Sequence, residues 1–210
     1  MATSKTIAAD IDIVNLALVK LGFETLSDFD DETNVKAANI ATASFDNILK
    51  VVMSQYPWDF ATQFFTITAG TLPSASFNPA NDSYDWTGAF DLPGGYLKAH
   101  SVKGQSSIPG DDWVQRGSQI LTNLGDENGQ IQAEIIMYIS NVGIYTPAFI
   151  DAVAERCARE WAPTLLRVSS ENTRLEATSK DKLRDAASSD GSVGSPRRVE
   201  SNASSVYKRR

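Results

Sequence analysis

Any chemistry in this sequence has to start from one histidine, one cysteine and a surplus of carboxylates. His100 lies in the run LKAHSVK, whose alternation puts it on a strand face. A Ser–His–Asp hydrolase would have to be built around it, yet no serine occupies a G-x-S-x-G turn. A histidine metal site would need carboxylate or cysteine co-ligands at helical or hairpin spacing, and His100 has none. Cys157 falls on the apolar stripe of a helix, where a thiol acts as a small packing group. Asp28, Asp30, Asp31 and Glu32 are spaced as in a calcium loop, but the turn glycine and distant bidentate glutamate of an EF-hand are missing. These acids are expected to cap the next helix and favour its positive end.

Paired carboxylates at the right separation hydrolyse glycosidic bonds, so a carboxylate-dependent cell-wall hydrolase is one reading of the acid surplus. Gly191 and Gly194 lack the preceding strand and following helix of a phosphate cradle. Trp58, Trp86, Trp113 and Trp161 are not interleaved with lysine or arginine, which argues against a single-strand stacking groove. No cofactor or metal is expected. In QYPWDFATQ, Pro57 ends a long helical pattern and Trp58 follows it directly. Pro57, Trp58 and Phe60 are therefore expected at a domain junction, with Trp58 as a wedge and Phe60 opening the first strand.

The elements that would position these residues follow from patterning. With 210 residues, 42% hydrophobic and 21% charged, the chain has the composition of a globular protein of one domain or two small ones. A net charge of −7 argues against a protein whose main task is gripping phosphate backbones. One cysteine cannot staple the fold, and no apolar run reaches the roughly 18–20 residues of a membrane span. The N-terminus has no signal-peptide pattern, and synthesis in the cytoplasm is expected. Residues 191–210 carry five bases against Glu200, leaving residues 1–190 with a net −11. Such a tail either reaches for a separate, acidic partner or is a solvated segment.

DIDIVNLALVKLG reads as a helix with Asp10 as N-cap and Gly22 as stop. Its stripe is Ile7, Ile11, Val14, Leu18 and Leu21, and Ile13, Leu16 and Val19 add apolar surface beyond what one neighbour covers. These three are expected to pack against another subunit or a central bundle. A second helix, residues 33–56, carries Val35, Ala38, Thr42, Phe45, Leu49, Val52 and Tyr56, widened by Ala41 and Ile48. Strand-like runs follow, with Arg116 and Gly117 marking one turn and GDENG (residues 125–129) another. Residues 70–95 read as a long polar loop, which makes a soluble binding module a further reading.

Thr146 and Pro147 open a third helix as N-cap and first residue, with Pro163 expected to kink it. Past Leu166 the apolar pattern thins to a helix that is exposed or needs a partner, and then to low-complexity sequence from residue 188. The expected class is α+β: a bundle of N- and C-terminal helices (7–57 and 146–190), an inserted antiparallel β-meander (58–145), sandwich- or barrel-like, and an extended tail (191–210).

The order of these features resembles the tail tubular protein A family, the head-to-tail adaptors of short-tailed bacteriophages. An "N-x-A-L-x-x-[IL]-G" helix corresponds to Asn15, Ala17, Leu18, Leu21 and Gly22, followed by the acidic loop. A "W-x-F-A" motif corresponds to Trp58, Phe60 and Ala61. A "Y-x-L-P" motif appears as Phe90, Leu92 and Pro93, with phenylalanine in place of tyrosine. A "P-x-F-x-x-A-x-A" helix corresponds to Pro147, Phe149, Ala152 and Ala154, so the resemblance covers residues 7–165. It implies a non-enzymatic virion protein of the tail or neck, assembled as a dodecameric ring that joins the portal protein to the tail nozzle protein. Double-stranded DNA would pass through its channel without specific binding, and no membrane would be involved. The basic tail lies beyond the span of the resemblance and suits docking to such a portal, with Pro196, Arg197, Arg198, Tyr207, Lys208, Arg209 and Arg210 as the expected docking residues.

Overall fold

The computed structural model describes residues 9–68, 86, 88–103, 113–124, 129–166 and 170–193, with backbone alone for 170–176 and 192–193. Four helices and two antiparallel three-stranded sheets make the chain α+β. Helix α1 spans Asp10–Lys20 and α2 Val35–Gln55. The strands are β1 (Thr62–Thr68), β2 (Gly88–Asp91), β3 (Tyr96–Lys103), β4 (Trp113–Arg116), β5 (Gln119–Thr122) and β6 (Gln130–Met137). A 3-10 turn at Val142–Ile144 leads to α3 (Pro147–Leu166), and α4 (Ser170–Val193) follows.

Ala9, not Asp10, is the N-cap of α1, and it makes no side-chain cap bond. Asp10 instead joins Asp12 in the first turn, where the helix dipole favours negative charge. The C-terminus is a Schellman motif: Phe23 N–H donates to the Leu18 carbonyl and Gly22 N–H to that of Val19, both at 3.0 Å. That geometry needs a left-handed residue, and Gly22 has φ +75°. The buried face is Ile13, Val14, Ala17, Leu18 and Leu21, rotated from the expected stripe. Ile11 is only half-buried, and Ile7 lies outside the described residues.

The acids of the next loop hold the loop itself instead of capping α2. Asp31 accepts from the backbone and hydroxyl groups of both Ser27 and Thr33, while Asp28 accepts from the N–H of Asp30. Asn34 is the N-cap of α2, without a side-chain bond. The α2 stripe agrees with the sequence at Ala38, Ala41, Phe45, Ile48, Leu49 and Val52. Val35, at the first turn, is 54% exposed instead. Thr42 is also exposed, its hydroxyl spent on the Phe29 carbonyl at 3.0 Å. At the far end Tyr56 is extended, as the residue before a proline must be.

The sheets are ordered β1-β6-β3 and β2-β5-β4. Gly117, with φ +57°, makes the expected turn between β4 and β5. Residues 125–128 of the GDENG segment lie outside the described residues, and the strands before and after it, β5 and β6, belong to different sheets. Strand β2 falls inside the stretch read as a loop over 70–95; residues 70–85 and 87 of that stretch lie outside the described residues. Among the described strands β1 approaches β2 and β3 approaches β4 without a ladder, so no barrel closes. One core serves both sheets, with Phe90, Ile120 and Leu124 from one and Ile131, Ala133 and Ile135 from the other. Ile136, on the opposite face of β6, joins a larger core formed with the helices.

Thr146 caps α3 as expected, its hydroxyl accepting from Phe149 N–H at 3.2 Å, and the helix runs on through Pro163. Helix α3 lies against α1, α2 and α4. The partner that α4 needs is therefore within the chain: Ala186 is buried and Leu183 and Ala187 are half-buried against the helical core. Asp190 accepts from Asp59 N–H at 2.7 Å, and this bond holds the last turns of α4 helical through Val193. The low-complexity reading from residue 188 thus fails over 188–193.

Thr33, then the backbone of Ser27, hold the Asp31 carboxyl well below the usual aspartate range. A depressed carboxyl contributes stability above its unfolded value, about 3.9, and loses it as pH falls through the folded value. Thermal melts taken down an acid series should therefore fall more steeply for the wild type than for Asp31→Asn, which starts lower at neutral pH. Parallel curves would contradict the role assigned to this carboxylate.

Candidate functional site

The segment after α2 is held by both side-chain and backbone hydrogen bonds. Trp58 is fully buried, and its indole N–H donates to the Val52 carbonyl at 3.3 Å, inside the last turns of α2. Its own carbonyl accepts from Ala61 and Thr62 N–H, so residues 58–61 form a turn and β1 starts at Thr62. Phe60 therefore sits in that turn and does not open the strand. The Met137 N–H donates to the Ala61 carbonyl at 2.8 Å, which stitches the turn to the end of β6.

Phe149 of α3 is the hub of the ring cluster around this turn. Trp58, Phe60 and Tyr145 meet it near edge-on, with centroids at 4.8, 4.9 and 5.0 Å. Edge-to-face pairs at this spacing contribute beyond the area they bury. Pro57, Trp58 and Phe60 thus stand at the junction of helices and sheet, and Tyr145 and Phe149 complete it. The apolar stripe of the third helix and its proline-led motif both include Phe149, but neither marks it as the centre of a ring cluster. A second strut joins Tyr138, just past β6, to Asp46 of α2 at 2.7 Å, with Lys50 on the other carboxylate oxygen at 2.6 Å. Burial, reinforced by that bond, pushes the Tyr138 hydroxyl up to about 12.

Charge ties the helices together. Lys20 of α1 reaches Asp151 at 2.8 Å and the buried Glu155 at 3.0 Å, and Lys182 of α4 reaches Asp151 at 3.0 Å. Burial would lower the Lys20 value, but its bonds to Asp151 and Glu155 outweigh that and raise it. At the α1–α2 corner the Asn15 side chain donates to the Leu26 carbonyl and accepts its N–H, at 2.9 and 2.7 Å.

The residues considered for chemistry are placed as follows. His100 is exposed on β3 at an irregularity of the ladder. Cys157 is fully enclosed, and burial pushes its thiol far up. Of the proposed subunit-packing residues, Ile13 is enclosed in the chain's own core because α1 turns that face to α3. Leu16 is half-buried and Val19 is 58% exposed, so only these two offer surface. Pro196, Arg197, Arg198, Tyr207, Lys208, Arg209 and Arg210 lie outside the described residues. No helix among the described residues is long and apolar enough to cross a membrane.

Among the described residues, one hollow of about 400 Å³ lies where Tyr56, Pro57 and Trp58 face Arg184, Ala187 and Asp190 of α4. A groove of about 410 Å³ runs between α2 and α3. A smaller hollow of about 270 Å³ lies across β1, β6 and β3 beside Phe64, whose ring is 70% exposed. No protein-family model and no curated protein matches this chain.

Truncating Trp58 to alanine should cost about 3–5 kcal/mol in denaturant melts, as for large buried aromatics. Trp58→Phe, which keeps a ring but loses the indole bond, should cost less than Trp58→Ala. Lys20→Met strands the buried Glu155 carboxylate and should cost about 3 kcal/mol, partly recovered by adding Glu155→Gln. Equal melting of Lys20→Met and wild type would contradict the network.

Proposed function

We propose that this chain is a structural, non-enzymatic virion protein: a ring-forming head-to-tail adaptor that joins a portal to a tail nozzle and lines the DNA channel. The observation that carries the proposal is where the motif residues lie. Asn15, Ala17, Leu18, Leu21, Trp58, Phe60, Ala61, Phe149, Ala152 and Ala154 come from three distant segments, and all but Asn15 belong to or pack on one core. Asn15 fixes the loop beside it. Three of the four motifs therefore behave as one structural unit, which supports the resemblance as a likeness of architecture, while Phe90 and Leu92 of the fourth belong to the core between the sheets.

In this reading helices from both ends of the chain (7–57 and 146–190) form a bundle, the β-layers (58–145) project from it, and the tail reaches the portal. A net charge of −7 suits a body over which DNA slides without being held, given like charge. The basic tail suits a docking segment that orders against the portal.

Because α4 runs to Val193, deleting residues 194–210 tests the tail without cutting a helix. The full chain should bind purified portal encoded on the same genome, and the truncated chain should bind at least about tenfold more weakly, or 1.4 kcal/mol. Equal binding would remove the tail from the proposal, and no binding by either would remove the portal.

A further inference from the structure

The groove between α2 and α3 has an apolar floor that includes Ile40, Val51 and Trp161, and Ala43 stands exposed on its rim. Its volume lies within the range of about 300–1,000 Å³ typical of occupied clefts. One wall is charged: Glu160 accepts from Arg156 at 2.9 Å and from Arg159 at 2.7 Å. Arg159 stands beside the groove and shares that carboxylate, so the three groups leave a net positive charge at its edge.

The corner between α1 and α2 has the opposite character. Residues 21–35 hold five acids and no base. Glu24, Asp28, Asp30 and Glu32 are exposed, and Val19 and Val35 flank them at 58% and 54% exposure. Apolar side chains set among acids complement an apolar floor beside surplus arginine. The corner cannot fold into its own groove. Asn15 clamps Leu26, Asp31 clamps Ser27 and Thr33, and Thr42 holds Phe29, so its shape is fixed in advance.

We infer that the acidic α1–α2 corner of one copy of this chain docks in the α2–α3 groove of the next. Two different patches meet in such a contact, so it is heterologous, and it propagates head to tail until the rotation closes a ring. The inference rests on the ring-forming adaptor reading and names the surfaces that would make the ring.

Sedimentation velocity over a concentration series of the full chain tests it. The wild type should self-associate as concentration rises. Ala43→Trp, which plugs the groove from an exposed position, should abolish association while leaving the melting temperature unchanged. Arg156→Glu should weaken association at least about tenfold. Adding Glu32→Arg to Arg156→Glu should restore most of it, which a merely misfolded variant would not show. Association of Ala43→Trp equal to wild type, or failure of the charge swap to restore it, overturns the inference and leaves the ring reading standing. A chain that stays monomeric throughout also overturns the inference, whereas the ring reading falls only if portal captures no ring.

Discussion

Everything in this fold depends on how α2 is converted into a sheet within a few residues. Pro57 stops the helix, the residue before it swings to an extended conformation, and the Trp58 side chain turns back onto the carbonyl of Val52. The chain then needs a rigid contact on the far side, since a turn fixed at one end would let the strands pivot. Phe149 supplies it, with three rings set near edge-on around it. The helical core and the sheet are thereby joined through packed aromatic surface and a backbone bond from Met137 to Ala61.

The polar contacts serve the same end. Lys20, Asp151, Glu155 and Lys182 cross-link α1, α3 and α4, and Asp190 fastens the last turns of α4 to the backbone of Asp59, beside Trp58. Buried charges of this kind stabilise little relative to apolar replacements, but leaving one unpaired is costly. They act by fixing which arrangement of the helices is adopted. A polar helix such as α4 would gain little from apolar burial alone.

Local physics was legible in the sequence and distant pairing was not. Gly22, Pro57, Gly117 and the Thr146–Pro147 pair announced their turns because each is fixed by its own backbone preferences. The alternation of Ile131, Ala133 and Ile135 in QIQAEIIM is likewise readable as one strand face, and all three belong to the core between the sheets. Strand β2 was missed because only four residues follow a long polar stretch, and its pairing to β5 is set by tertiary contact. Which strands share a sheet was not legible for the same reason, since hairpin logic joins neighbours in sequence. Ile13 stayed open between a second subunit and the chain's own bundle because an over-apolar helix does not declare which of its faces meets its own chain. The partner of α4 and the Lys20 network depend on contacts more than a hundred residues apart, which no periodicity encodes.

At the site, the sequence singled out Trp58 but not the ring that holds it, and it read the acidic loop as a helix cap when Asp31 is in fact its internal brace. The proposed function rests on three of the four motifs meeting in one helical core, which makes architecture the quantity to measure. Electron microscopy of the full chain mixed with portal rings encoded on the same genome does so most directly. The account predicts class averages in which a second closed ring of this chain is stacked coaxially on the portal. Portal rings that remain bare at saturating concentrations of a folded chain would contradict it.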